Sequence, residues 1–170
     1  LIFGLLIVLA WVVMSVSTRS NGVFLQKRVG KNGNLFNVIK IRTMRPGFID
    51  ATTITTQNDR RITKLGALIR KLKIDELPQL INVLMGDLSM VGPRPDVPGF
   101  AVKLKGVDAS VLNLRPGITG VASLAFRNEE DLLSNQTNPE VYNSDVIFPE
   151  KTRLNLLYIE NYSFAKDLGY

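Results

Sequence analysis

Apolar residues fill the first fourteen positions of the chain almost without interruption, reading LIFGLLIVLAWVVM. A transmembrane helix needs about 20 such residues, so this length fits a re-entrant segment, a buried core helix, or the end of a truncated span. Because the run has no polar face, membrane insertion is favoured over a core helix. Basic residues follow at positions 19, 27, 28 and 31, which predicts that this end faces the cytoplasm. Since the chain begins with Leu rather than Met, we interpret it as part of a longer protein.

Two short alternating runs, residues 22–28 and 35–42, predict a small β-hairpin. Asn32-Gly33 lies between them, and this pair tolerates the positive φ angles of a tight hairpin turn.

Polar side chains occupy alternate positions of both predicted strands, so that each pair shares one face. The pairs are Gln26 with Arg28, and Lys40 with Arg42. Such a face can line a groove that binds anions. A strand face exposed to solvent explains the same pattern equally well.

The apolar residues within 62–72 follow helical spacing, and cationic residues cluster at the C-terminal end of this segment. Asp75 can cap a second helix, predicted from about Glu76 to Met85, and Pro78 is tolerated in a first turn. Shorter helices are predicted at 97–105, 129–134 and 150–162. Residues 46–58, 90–98 and 115–120 are predicted to be non-helical because they are rich in Gly, Pro or Thr.

These elements predict an α+β chain that is mainly helical, with one small hairpin. Amphipathic helices are expected to lie on the membrane around a compact cytoplasmic domain. We assign residues 1–20 to a membrane-anchoring segment and residues 21–170 to the cytoplasmic domain.

The composition restricts the chemistry. The 170 residues include no Cys and no His, which excludes disulfides, thiolate nucleophiles, His bases and Cys/His zinc sites. Carboxylates, Lys, Arg, Tyr, Ser and Thr remain, with or without an oxygen-ligated metal such as Mg²⁺. The net charge of +6 indicates an anionic partner: nucleic acid, anionic lipid or a phosphorylated substrate.

The strongest candidate for chemistry is the stretch in which Arg70, Lys71 and Lys73 precede Asp75 and Glu76. One carboxylate can attack a phosphorus atom while a metal ion and cations neutralise the phosphate oxygens. Alternatively, Asp75 caps the helix and Glu76 lies in its first turn, each stabilising it by about 1 kcal/mol or less. Spacing alone favours this plainer alternative.

Arg94 lies between Pro93 and Pro95 and is a second candidate. A stiff backbone can hold a guanidinium for bidentate binding of phosphate. A rigid surface turn with a solvated Arg explains the pattern equally well.

Several motifs occur in order along the chain, and together they closely resemble the bacterial sugar transferase family, the monotopic polyprenyl-phosphate phosphoglycosyl transferases. The motifs are QKRVG at 26–30, FNVIKIRTM at 36–44, DELPQL at 75–80, NVLMGDLSMVGPRP at 82–95 and RPGITG at 115–120. The family's re-entrant helix carries a Ser-Pro kink. No Pro precedes Pro46 here, so the first half of that helical hairpin is expected to lie outside this chain.

The resemblance implies an enzyme at the cytoplasmic face of the bacterial inner membrane, with residues 1–20 as a re-entrant anchor and residues 21–170 as the catalytic domain. It would move a sugar-1-phosphate from a UDP-sugar to polyprenyl (undecaprenyl) phosphate and release UMP, the first membrane step of glycoconjugate assembly. Asp75 matches the family's nucleophile, which forms a phosphosugar-aspartyl intermediate, and Glu76 matches the catalytic carboxylate that binds Mg²⁺. The residues expected to bind substrate phosphates are Arg70, Arg94, Lys40, Arg42 and Arg28.

Three alternatives differ in what they predict. A glycosyltransferase that moves the sugar alone would release UDP, and a non-catalytic membrane scaffold would tolerate loss of Asp75. A membrane-tethered nucleic-acid binder, suggested only by charge, would bind DNA with a steep dependence on salt. Such a partner is not expected, because the basic stretches lack interleaved aromatic residues. The sequence does not decide which sugar is handled, which pathway is served, or whether the protein acts as a homodimer.

Overall fold

The computed structural model describes residues 2–47, 55, 59–101 and 103–170, so most of the loop predicted at 46–58 lies outside the described residues. The described part is α+β with small sheets, in agreement with the predicted fold class. Its α-helices are α1 (Ile2–Thr18), α2 (Lys64–Lys71), α3 (Gln79–Met85), α4 (Pro98–Ala101), α5 (Val121–Ala125), α6 (Glu129–Ser134), α7 (Pro139–Tyr142), α8 (Phe148–Glu160) and α9 (Phe164–Asp167). Its strands are β1 (Val23–Val29), β2 (Leu35–Ile41), β3 (Ser89–Val91) and β4 (Gly117–Thr119).

The apolar run forms α1, and most of its large side chains are exposed, among them Leu5 and Val16. Ala10 and Met14 are buried and lie one turn apart, so a narrow stripe of the helix packs on the protein. None of the helices in the described ranges is long and apolar enough to cross a membrane. The re-entrant path therefore stays a prediction.

The chain forms two compact units that interleave along the sequence. The first comprises Leu1–Gln26 and Asn37–Asn82, and the second comprises Lys27–Phe36 and Val83–Tyr170. These units are defined by packing, whereas the boundary predicted near residue 20 separates a membrane anchor from a catalytic domain. That boundary stays a prediction.

The core of the first unit fixes the backbone next to the candidate nucleophile. Ile74, which directly precedes Asp75, packs on this core and so anchors the chain at that carboxylate. The buried members of the core are Ala10, Met14, Ile41 and Ile69.

A side-chain cap starts α2, close to the predicted position. Thr63 Oγ1 accepts a hydrogen bond from the Gly66 N–H at 2.9 Å, and Ser17 Oγ donates to Thr63 Oγ1 at 3.0 Å. A Cβ atom on Gly66 would lie 2.3 Å from the Thr43 carbonyl oxygen, so only glycine permits this approach of the helix to the segment after β2.

The predicted hairpin is confirmed. β1 and β2 pair in a two-stranded sheet, and a 3₁₀ turn over Lys31–Gly33 connects them. Asn32 has φ 58° and Gly33 has φ 79°, the positive values that made the Asn-Gly pair a turn signal.

The second unit contains a parallel strand pair that the sequence did not predict. β3 and β4 pair with Ser89 opposite Gly117. β4 and most of β3 lie within the stretches 115–120 and 90–98, which were predicted only to be non-helical. A Cβ atom on Gly117 would lie 2.2 Å from the Gly92 nitrogen, so the two backbones are in direct contact.

The helices of the second unit follow the predictions unevenly. α6 matches the predicted 129–134, and α8 lies two residues earlier than predicted. The helix predicted at 97–105 was too long, because α4 has four residues and Lys105 is extended. Tyr158 is buried on α8 and donates a hydrogen bond to Asp167 Oδ1 on α9 at 2.9 Å.

Candidate active site

Asp75 lies in a short 3₁₀ turn, Ile74–Glu76, that precedes α3. Lys73 begins this turn in the left-handed conformation, with φ 56° and ψ 21°. The second helix was predicted to begin near Glu76, but α3 begins at Gln79. Asp75 is therefore not at the start of that helix, and the alternative in which Asp75 serves as its cap is wrong.

The Asp75 carboxyl group is buried, with 7% of the residue exposed. In the part of the chain that the structure describes, its Oδ1 atom has no hydrogen-bond partner. Burial raises the pKa of Asp75, and the neighbouring Glu76 raises it further. Lys40, Arg70 and Lys73 act in the opposite direction and favour the ionised form.

Two of these cations are fixed by separate elements of the first unit. Lys40 on β2 forms an ion pair with Glu76, with 3.6 Å between Nζ and Oε1, and both side chains are largely buried. Arg70 at the end of α2 donates from Nη1 to Thr43 Oγ1 at 3.4 Å.

The first unit thus gathers four predicted site residues: Asp75, Glu76, Lys40 and Arg70. Lys73 joins them, so three cations surround two carboxylates. An ionised carboxylate held beside cations can attack a phosphorus atom while the cations neutralise the oxygens around it.

Arg42 belongs to the same unit but has a local role in the hairpin. Its Nε donates to the Asn21 carbonyl oxygen at 2.8 Å, and its guanidinium lies over the Phe24 ring, 5.2 Å from the centroid. Its predicted role in phosphate binding stays a prediction.

Arg28 and Arg94 lie in the second unit, near the Pro-Arg-Pro turn. Arg28 Nη1 donates to the Pro95 carbonyl oxygen at 3.0 Å. Burial raises the pKa of the neighbouring Asp96, while Lys151, Arg28 and Arg94 lower it. The structure thus brings both arginines to one acidic residue that the sequence analysis did not single out.

The family model described as bacterial sugar transferase matches residues 1–170. The chain belongs to this family.

Named relatives of this sugar transferase come from several bacteria. The galactosyl transferase CpsE of Streptococcus agalactiae is 36% identical over 86% of the chain and 32% of CpsE. The exopolysaccharide production protein ExoY of Rhizobium meliloti is 30% identical over 99% of the chain and 74% of ExoY. The UDP-glucose:undecaprenyl-phosphate glucose-1-phosphate transferase of Klebsiella pneumoniae is 34% identical over 95% of the chain and 34% of that protein. The chain thus spans about a third of the length of two of these relatives.

The acidic pair of this sugar transferase is compatible with Mg²⁺. The described ranges contain no group of three or more acidic residues that could hold a metal ion. Mg²⁺, however, is commonly held by one or two carboxylates together with substrate phosphates and water. Glu76 and the Asp75 Oδ1 atom, which has no hydrogen-bond partner among the described residues, supply oxygens of that kind.

Two buried polar residues near the pair were missed by the sequence analysis. Gln79 and Asn82 are 2% and 0% exposed, and they follow Asp75 by four and seven residues. Gln79 and Asn82 are three residues apart and so lie on one face of α3, a spacing visible in the sequence. Polar residues at helical spacing usually indicate a solvated face, so the spacing alone does not predict that they are buried.

Lys73 carries a backbone cost that a glycine would relieve. A non-glycine residue in the left-handed region costs about 1–2 kcal/mol, and the higher entropy of glycine in the unfolded chain cancels part of that. We expect Lys73→Gly to increase the free energy of unfolding by about 0.5–1 kcal/mol in urea titrations. Lys73→Ala removes the same charge without relieving the backbone, so equal stabilities of the two variants would contradict the prediction.

Proposed function

We propose that this bacterial sugar transferase moves a sugar-1-phosphate from a UDP-sugar to polyprenyl phosphate and releases UMP. The observation that carries the proposal is the buried Asp75 carboxyl group beside Glu76, with Lys40, Arg70 and Lys73 around it. The name of the Klebsiella pneumoniae relative describes a transfer of this kind.

In the first step, an Asp75 oxygen forms a bond to the β-phosphorus of the UDP-sugar. The bond from that phosphorus to the bridging oxygen breaks, and its electron pair leaves with UMP. In the second step, an oxygen of polyprenyl phosphate attacks the same phosphorus and regenerates the Asp75 carboxylate. Because a carboxylate attacks in the first step and an ionised phosphate in the second, neither step needs a base, which suits a chain without His.

The cations have separate roles in this mechanism. Arg70 and Lys73 favour the ionised Asp75 and neutralise charge on the phosphate oxygens, while Lys40 orients Glu76. Glu76 would hold Mg²⁺, which supplies further positive charge to those oxygens when bound. Arg28, Arg94 and Arg42 are further proposed to bind substrate phosphate.

The proposed site of action is the cytoplasmic face of the bacterial inner membrane, where the acceptor headgroup lies. The exposed apolar side chains of α1 support this location. So does α2, which exposes Leu65, Leu68 and Leu72 on one face next to Lys64 and Lys71. Exposed leucines flanked by lysines, with no acidic residue in the helix, are typical of a helix lying on anionic lipid.

The absence of native Cys allows a direct test of that contact. Leu68→Cys and Ala67→Cys both place a label on an exposed position of α2, but only Leu68 lies on the leucine face. On addition of anionic vesicles, an environment-sensitive fluorophore at Leu68 should shift to the blue and become protected from an aqueous quencher. The label at Ala67 should remain accessible. Equal accessibility at the two positions would contradict the proposed orientation of α2.

The nucleotide product tests the reaction itself. The protein is incubated with Mg²⁺, undecaprenyl phosphate and a panel of UDP-sugars, and the released nucleotide is identified by chromatography. UMP together with a polyprenyl diphosphate-linked sugar is the expected result, and the responding donor identifies the sugar. UDP would indicate transfer of the sugar alone, and release of neither nucleotide would favour a scaffold.

A further inference from the structure

The face of α3 that turns toward the protein is polar, which reverses the usual pattern of an amphipathic helix. Gln79 and Asn82 are buried, whereas Ile81, Leu84 and Met85 are 43%, 88% and 66% exposed. An exposed apolar face is explained by the proposed membrane location. The buried polar face needs a separate explanation.

The burial of the polar Asn82 side chain is fully explained by its hydrogen bonds to β2. Its Oδ1 accepts from the Ile39 N–H at 3.0 Å, and its Nδ2 donates to the Asn37 carbonyl oxygen at 2.8 Å. The side chain thus satisfies two backbone groups of the strand that carries Lys40, and its role is structural.

Gln79 differs, because its amide nitrogen has no hydrogen-bond partner in the described part of the chain. A buried donor of this kind is rare in native proteins and indicates strain, a bound water or ion, or a role in function. An apolar side chain of the same length would fill the space at lower cost.

Gln79 follows Asp75 by about one helical turn. The segment between them has 3₁₀ geometry, since the Leu77 N–H bonds to the Ile74 carbonyl oxygen and the Leu80 N–H to that of Leu77. Both side chains are buried, with 7% of Asp75 and 2% of Gln79 exposed. A buried donor and a buried acceptor that have no partners in the described part of the chain therefore lie about one turn apart.

We propose that Gln79 is a further catalytic residue, whose Nε2–H donates a hydrogen bond to a non-bridging oxygen of the phosphoryl group transferred to and from Asp75. This inference rests on the proposed function. Gln79 keeps its proton throughout, since the Asp75–phosphorus bond forms as the bond to UMP breaks. A neutral donor fixed before the reaction stabilises the charge that those oxygens carry in the transition state.

The test compares Gln79→Met, which has a similar length and no donor, with the control Gln136→Met. Gln136 lies in the second unit, and its Nε2 donates to the Leu132 carbonyl oxygen near the surface. Loss of one such donor reduces kcat by about 10²–10³-fold in well-studied enzymes, and we expect at least about tenfold for Gln79→Met. The KM for the UDP-sugar should change less than kcat, and the melting temperature should be unchanged or higher.

A sulfur-substituted donor gives a readout that a structural role would not alter. Replacing one non-bridging β-phosphate oxygen with sulfur should slow the wild-type enzyme for the diastereomer whose oxygen Gln79 contacts. In Gln79→Met that difference between diastereomers should shrink, because the hydrogen bond is already lost. Wild-type kcat with an unchanged preference between diastereomers would overturn the inference.

Two further controls keep the interpretation clear. If the wild-type protein releases no UMP, the proposed function fails, whatever the behaviour of Gln79. If Gln79→Met unfolds, Gln79→Asn replaces it, retaining the amide one methylene shorter. A selective loss of kcat in that variant supports the inference, and an undiminished kcat overturns it.

Discussion

Asp75→Asn is expected to abolish UMP release and, at the same time, to make the protein more stable. An amide is a poor nucleophile, so turnover should fall by at least about 10³-fold, as it does when other enzymes lose their nucleophile. The cations around Asp75 remain in the variant, so binding of the UDP-sugar should be affected much less than turnover.

The gain in stability follows from the raised pKa of Asp75, whose main cause is burial. The folded protein holds this proton more tightly than the unfolded chain does. Stability contributed by Asp75 is therefore greatest at low pH and is lost as the pH rises through the folded pKa. Above the ordinary pKa of Asp the wild type therefore loses stability that a neutral side chain would keep, and Asn at this position removes that penalty.

Thermal unfolding in EDTA measures this effect without interference from bound metal. The melting temperature of Asp75→Asn should exceed that of the wild type at pH 7, by roughly 2–4 °C for each kcal/mol gained. The difference should shrink as the pH falls and both chains become neutral at this position. The exposed Asp108→Asn serves as the control and should show neither effect. A variant that is less stable at pH 7, or that retains UMP release, would contradict the prediction.

The sequence predicted those parts of the fold that local chemistry determines. The Asn-Gly pair specified the hairpin because its turn requires positive φ at Asn32 and Gly33. The predicted α2 formed because apolar residues at helical spacing and the capping Thr63 lie within a few residues of each other, and α6 also formed where it was predicted. The fold class was correct for the same reason.

Local sequence patterns could not predict contacts between segments that are far apart in the chain. β3 and β4 have three residues each, too few for a recognisable alternation, and a parallel pair joins segments far apart in sequence. Their contact depends on close approach at Gly117, which sequence patterns alone interpret as a turn.

The candidate site was predicted only in part, because some of its residues are close in sequence and others are brought together by long-range packing. The cationic stretch and the acidic pair lie close in sequence, so Arg70, Asp75 and Glu76 could be grouped before the structure. The ion pair of Lys40 with Glu76 requires β2 to pack beside the 3₁₀ turn, and no local pattern encodes that. Nor does any pattern encode the left-handed Lys73, which lies between the end of α2 and the 3₁₀ turn.

Asn82→Ala is expected to be the most destabilising of the substitutions considered, at about 2–4 kcal/mol. The fully buried amide bonds to the Ile39 N–H and the Asn37 carbonyl oxygen, as a neighbouring strand would. Its removal leaves two backbone groups of β2 without partners, and each such group costs about 1–3 kcal/mol when buried.

Urea unfolding measures the loss, with Asn135→Ala as the control. Asn135 is exposed and donates one hydrogen bond to the Asp131 carbonyl oxygen, so its replacement should cost less than about 0.5 kcal/mol. A cost below about 1 kcal/mol for Asn82→Ala would mean that water satisfies the edge of β2. Because β2 also carries Lys40, the variant should lose turnover even at temperatures where it remains folded. A stable, fully active Asn82→Ala would show that Lys40 reaches Glu76 without this support.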